Sequence, residues 1–194
     1  MVESNHAGDL PRIAATAYVH ASAVLIGNVV VEDRVFIGPN AVIRADEPGP
    51  DGKVGTIVVE QEANVQDGVV IHALGGTDVR IGQGSSLAHA AVVHGPCDVG
   101  GDCFLGFNSV VFKASLAGGV IVMHQAMVEG VTIPRGKFVP SMTAVQNEED
   151  VLRLGPAPPE LSGFAREVRR INVFLAEASH VNQPTGEDVP FKKC

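Results

Sequence analysis

Aromatic side chains are scarce in this sequence. Tryptophan is absent, tyrosine occurs once, and aromatics make up 5% of 194 residues. A core with so few rings must be filled by Val, Ile, Leu and Ala, which suits thin, closely spaced layers. Basic residues are also short, with 14 Lys and Arg against 22 Asp and Glu, for a net charge of −8. A nucleic-acid partner needs a basic face, so none is expected. No stretch approaches ~20 uninterrupted apolar residues, so no membrane-spanning segment is expected. The opening residues, MVESNHAGDLPR, have neither a basic start nor an apolar run. Neither a signal nor a transit peptide is expected, and the location expected is cytoplasmic. Three cysteines without zinc-like pairing exclude a disulfide framework and suit free thiols in a reducing compartment.

What the chain does have is a globular composition, 45% hydrophobic and 19% charged, with 22 glycines. It also has a repeat. Starting at Ile13, a branched apolar residue recurs every six: Val19, Leu25, Val31, Ile37, Ile43. The phase breaks over 44–58, resumes at Val59, Val65 and Ile71, breaks again, and continues as Ile81, Leu87, Val93, Val99, Leu105, Val111, Ala117 and Met123. Four residues past each anchor the side chain is mostly small, as at Ala17, Ala23, Ala41, Ala63, Ser85, Ala91, Cys97, Cys103, Ser109 and Ser115. A period of six fits neither a helix nor an uninterrupted strand. It fits a short strand, a bend and another short strand, three of which close a triangular coil. Cys97 and Cys103 then occupy successive small inward slots, as core fillers.

The coil is expected over residues 1–145, a helical segment over 146–180 and a tail over 181–194. Acids at Glu148, Glu149 and Asp150 mark a helix start, and Gly155 to Pro159 a linker. From Ser162 the apolar positions Phe164, Val168, Ile171, Leu175 and Ala178 follow helical spacing, so this helix is expected to pack alongside the coil.

Three of the seven histidines cluster: His72, His89 and His94. His72 follows anchor Ile71, and His94 follows anchor Val93. With a four-residue insertion within 73–79, these anchors lie one full coil apart. The two imidazoles then point outward on one face, ~4.8 Å apart at the backbone, and can converge on one metal. His89 stands near the corner of the preceding side and cannot easily reach the same ion within one chain. A copy related by a three-fold axis can supply it. The expectation is a homotrimer with a metal at each interface, held by His72 and His94 of one subunit and His89 of the next. Three imidazoles with an open position are the pattern of a catalytic zinc, although Fe2+ or Co2+ also suits them. His6, His20, His124 and His180 are left as surface residues.

The run Asn64-Val65-Gln66-Asp67-Gly68-Val69-Val70-Ile71-His72, then Ser86-Leu87-Ala88-His89, then Val93-His94-Gly95-Pro96, resembles the γ-class carbonic anhydrases. Arg44-Ala45-Asp46-Glu47, Phe104-Leu105-Gly106 and Val111-Phe112-Lys113 match as well. The resemblance implies an all-β, left-handed parallel β-helix of hexapeptide repeats with a C-terminal helix alongside. It implies a trimer that reversibly hydrates carbon dioxide to bicarbonate by a metal-bound hydroxide, with the three histidines as ligands. By the same resemblance, Gln66 orients the hydroxide and Glu47 assists proton transfer. Asn172 lines the carbon dioxide pocket, and Asn64 lies near the site. Arg44, Asp46 and Asp67 form an interface ion-pair network. Within the family, the tail and shortened loop look most like the anhydrase domain of carboxysome scaffold proteins, so association with carboxysomes is the alternative location.

On the residues alone other readings stay open. Arg44 and Asp46 also suit a solvated surface pair. Asn64 and Gln66 also suit corner backbone groups, and Asn172 an exposed helix position. The best-studied relatives carry a proton-shuttling Glu three residues after the first metal His, where this sequence has Gly75. Activity is then expected to fall, to depend on buffer, or to use Glu47, with Asp78 a weak candidate. A non-catalytic scaffold that keeps the trimer is the first alternative. A hexapeptide acyltransferase using coenzyme A, with a His as base, is the second.

Overall fold

Branched residues at every sixth position favour extended backbone only in short pieces separated by sharp turns. The computed structural model describes residues 1–181 and folds in this way. Its short strands stack into three parallel sheets of eight, seven and seven strands, visited in rotation. Each cycle of three strands is one turn of a left-handed β-helix. Residues 182–194, with most of the expected tail and Cys194, lie outside the described residues.

The anchors stack directly on one another. On the first sheet Leu25 pairs with Ile43, Ile43 with Ile71, Ile71 with Val93, Val93 with Val111 and Val111 with Val128. All six are fully buried. Burying each such side chain contributes about 1.5–3 kcal/mol, and the ladder is repeated on all three sides. Interior filling therefore dominates the register. Ile43 and Ile71 still pair although the chain between them carries the inserted segment 46–56. Ile71 and Val93 pair across the four-residue insertion expected from the sequence.

The same principle corrects the end of the repeat. Lys113 turns at φ 49° and the side after Val111 is one residue short. Val99 consequently pairs with Leu116, and Leu105 with Val122. Leu116, Val122, Val128, Ile133, Val139 and Val145 are the buried anchors there. Ala117 and Met123 are not anchors and are only half-buried, and Ala114 rather than Ser115 fills the small slot. Keeping a branched side chain inside outweighs keeping the period. The first expected anchor, Ile13, is 37% exposed. It has a paired rung on one side alone, that of Val31, and so lies at the open end of the coil.

The C-terminal end is closed by helix α1, Glu148–Arg153. Asn147 caps it, its side chain accepting the Asp150 N–H at 3.0 Å, and acids fill its first turn where the helix end is positive. Helix α2, Pro159–Val181, begins on a proline suited to the first helical position. It runs back along the third sheet, against strands from Ser86–Leu87 to Tyr18–Val19. Its seated stripe differs from the expected one. Leu161, Ala165, Val168, Asn172 and Ala176 face the coil, with Asn172 and Ala176 buried. Phe164, Ile171 and Leu175 stand on its flank and stay 39–51% exposed. Small Ala165 and Ala176 let the helix sit close, which the larger residues would prevent.

Cys97 and Cys103 are buried and unbridged. Their thiols hydrogen-bond to backbone carbonyls, Cys97 to His94 at 3.2 Å and Cys103 to Ala117 at 3.3 Å. Burial pushes the Cys103 thiol up to about 11 and raises that of Cys97. Against an ordinary value of 9.0, the thiolate fraction of Cys103 falls about 100-fold. Both thiols are expected to resist iodoacetamide at pH 8 in the native protein and to alkylate fully in guanidinium. Peptide-resolved mass spectrometry checks this; rapid native labelling of Cys103 would contradict its placement.

Candidate metal centre

His72 ends the strand Val70–His72 and His94 ends Val92–His94, both on the first sheet. Their backbones pair in register, His72 opposite His94, with Arg44 on the other side of His72. Because the anchors Ile71 and Val93 point inward, the next residue on each strand must point outward. Two imidazoles are thereby placed one rung apart on one face. His72 Nδ1 lies 3.1 Å from His94 Nε2, and the rings cross at 84° with centroids 4.9 Å apart. Phe112, on the next rung, meets His94 edge-on.

The inserted segment 46–56 brings carboxylates to this pair. Asp46 Oδ1 stands 3.5 Å from His72 Nε2, and Glu47 Oε2 stands 3.7 Å from the same atom. Arg44 donates to Asp46 Oδ2 from Nε at 3.1 Å and Nη2 at 2.9 Å. Oδ1 of Asp46, Nε2 of His72 and Nδ1 of His94 are buried with no hydrogen-bond partner among the described residues. Orphaned buried polar atoms are costly, and two of them, Asp46 Oδ1 and His72 Nε2, face each other across 3.5 Å.

The other sequence-selected residues gather elsewhere. Gln66, Asp67, His89 and Asn172 line one cavity of about 340 Å³ between the third sheet and α2. Its walls are Phe36, Ala88, Phe104, Phe107, Phe164, Val168, Ile171 and Leu175. Gln66 donates from Nε2 to Asn64 Oδ1 at 3.0 Å, and Asn64 donates to Ser86 Oγ at 2.7 Å. Asn172 donates to the Val168 carbonyl at 2.9 Å. His89 Nδ1 lies 3.8 Å from Asp67 Oδ2, and its side chain is 53% exposed. The selected residues thus form two separate groups, one beside His72 and His94 on the first sheet and one in the cavity under α2. Among the described residues no group of three or more His, Cys, Asp and Glu is placed to hold a metal within one chain. Asp67 stands with His89, apart from the Arg44–Asp46 pair, so the three ion-pair residues are not joined within one chain. The sequence reading did not identify the aromatic wall. Four of the eight phenylalanines line this cavity, and they are brought together by coiling from positions far apart in the chain.

No family model matches the sequence. The chain is 34% identical over 188 residues to a carbonic anhydrase of Methanosarcina thermophila, covering 86% of this chain and 74% of the relative. The chain belongs to the γ-class carbonic anhydrase family. This γ-class chain is also 39% identical over 174 residues to a carboxysome assembly protein of Nostoc sp. strain PCC 7120, covering 84% of this chain. It spans about 30% of the length of the carboxysome assembly proteins it matches. A hexapeptide transferase family protein from Anaplasma phagocytophilum superposes with TM-score 0.74 over 92% of this chain and 97% of its own, at 20% identity. That likeness is one of fold.

The donor set fits the divalent metal that the family implies. Two imidazole nitrogens on one tetrahedral ion at Zn–N ≈ 2.0–2.1 Å stand about 3.3 Å apart, close to the 3.1 Å between His72 and His94. The γ-class chain departs from its best-studied relatives at Gly75, and the fold gives the reason. The 46–56 segment is a hairpin, with Pro48 bridging to Val54 and Gly49 N–H donating to the Lys53 carbonyl at 2.8 Å. It dovetails into the 73–78 turn, where the Gly76 N–H donates to the Glu47 carbonyl at 3.2 Å. A Cβ at Gly55 would lie 1.8 Å from the Thr77 carbonyl oxygen, and one at Gly75 2.6 Å from that of Pro48. Close approach of the two loops holds Glu47 beside His72 and leaves no room for a side chain at position 75.

Proposed function

We propose that this protein is a metal-dependent carbonic anhydrase, reversibly hydrating carbon dioxide to bicarbonate at the interfaces of a homotrimer. The observation that carries this reading is the in-register pair His72 and His94, 3.1 Å apart, with the carboxylates of Asp46 and Glu47 beside it. His89 of an adjoining subunit completes the ligand set. Zinc is the expected ion, with Fe2+ or Co2+ compatible with the same donors. When bound, the ion supplies Lewis acidity that brings the pKa of a coordinated water near neutrality.

The chain's own groups do the rest. Gln66 spends Nε2 on Asn64, and Asn64 spends its amide on Ser86. That leaves Gln66 Oε1 to accept the O–H of the attacking oxygen and orient it. Asn172 and the phenylalanine walls form an apolar pocket with few polar groups, suited to a small uncharged substrate. Glu47 is 44% exposed, so its carboxylate can take a proton beside His72 and pass it to solvent. Asp46 is tied to Arg44 by two hydrogen bonds through Oδ2, which leaves Oδ1 facing His72. Likeness to carboxysome assembly proteins favours a cytoplasmic setting in association with carboxysomes, and there an assembly role is the second reading.

Stopped-flow carbon dioxide hydration by zinc-reconstituted protein tests the reading, with His89→Ala as control and imidazole as external proton carrier. The expected result is activity that His89→Ala abolishes and imidazole raises severalfold, because no carboxylate occupies position 75. Stoichiometric zinc without turnover, at any imidazole concentration, would leave the assembly role.

A further inference from the structure

Three rings stand on successive rungs of one corner of the coil. His89 and Phe107 stack with centroids 5.4 Å apart and planes 21° from parallel. Phe107 and His124 stack more closely, at 4.4 Å and 11°. His124 Nδ1 also accepts the backbone N–H of Phe107 at 3.0 Å. That bond anchors the outermost ring to the backbone of the middle one. The rungs are joined beneath the rings, Asn108 N–H to the His89 carbonyl at 3.1 Å and Gln125 N–H to the Phe107 carbonyl at 2.8 Å.

His89 itself has little else to hold it. Its ring makes no hydrogen bond among the described residues, and its nearest acid, Asp67, stands 3.8 Å away. A half-exposed imidazole in this situation samples several rotamers, and coordination must freeze one of them. A partner that restricts the ring beforehand strengthens binding without touching the ligand. Metal-ligating histidines ordinarily receive such support from a hydrogen-bonded neighbour. At this corner an aromatic stack stands in that place.

We propose that Phe107 and His124 are positioning residues for metal binding: Phe107 sets the His89 ring by stacking on it, and His124 holds Phe107 in place. The proposal rests on the metal reading above. His124 touches neither metal nor substrate and acts through Phe107.

The test is calorimetric titration of the metal-free protein with Co2+, alongside the visible absorption of the cobalt form. Wild type is compared with Phe107→Leu, His124→Ala and His124→Phe. Phe107→Leu and His124→Ala are expected to raise the cobalt Kd about 10-fold and to alter the d–d bands, while the melting temperature of the metal-free protein stays near wild type. His124→Phe keeps a ring on Phe107 and is expected to recover most of the affinity. Wild-type affinity and spectrum in both disruptive variants would overturn the proposal while leaving the metal reading intact. So would affinity losses that track melting temperature and that His124→Phe does not recover. A wild-type chain that binds no cobalt would remove the metal reading and this proposal together.

Discussion

Mixing subunits that carry His89→Ala with subunits that carry His94→Ala is expected to restore about one quarter of wild-type carbon dioxide hydration when they reassemble at equal amounts into cyclic trimers. Each variant alone removes one of three ligands. Losing a residue that merely supports a ligand costs 10–100-fold, so losing a ligand should cost at least about 100-fold. The restoration follows from how the residues are divided. His72 and His94 share the first sheet, whereas His89 stands at a corner with Gln66, Asp67 and Asn172. A site that takes two histidines from one subunit and the third from its neighbour is intact wherever a His89→Ala subunit is followed by a His94→Ala subunit. Random assembly produces that order at one site in four. The measurement is the hydration rate of trimers refolded from the mixture, against each variant refolded alone. No gain on mixing would mean that sites are not shared between subunits.

The pair of histidines was legible in the sequence because both follow an anchor. Anchor positions are fixed by burial, and one step past an anchor the side chain must face outward. The four-residue insertion within 73–79 could be placed for the same reason, since it is what brings Ile71 and Val93 into register. Where the repeat loses a residue the period misleads. At Ser115, Ala117 and Met123 the interior recruits Ala114, Leu116 and Val122 instead. A shortened turn at Lys113 leaves no mark on a six-residue count.

Helix α2 shows another limit. Spacing located the helix but not which of two neighbouring stripes seats on the coil, because Ala165 and Ala176 pack by being small rather than by being hydrophobic. The aromatic stack was missed for a similar reason. His124 belongs to no histidine cluster in the sequence, and only coiling brings it over Phe107.

Gly75→Glu, which reinstates the acid of the best-studied relatives, is expected to damage the protein instead of accelerating it. The substituent must begin with a Cβ, and at position 75 that atom would lie 2.6 Å from the Pro48 carbonyl oxygen and 3.5 Å from Glu47 Oε1. Backbone cannot yield as a flexible side-chain end can, so the hairpin 46–56 must lift from the 73–78 turn. Overpacking of this kind costs roughly 1–3 kcal/mol, or about 5 °C in melting temperature for a chain of this size. The hairpin also carries Asp46 and Glu47, so lifting it withdraws both carboxylates from His72. Hydration should therefore fall, and added imidazole should compensate only for the withdrawn proton acceptor. Gly75→Ala separates bulk from charge, since it introduces the same Cβ with no carboxylate. Melting temperature and hydration rate of the two variants are expected to fall together. If Gly75→Glu instead hydrates faster than wild type, with an unchanged melting temperature, the loops have slack. Proton transfer through position 75 would then be what this chain lacks. If the variants fall as expected, the glycine marks where the two loops close on each other.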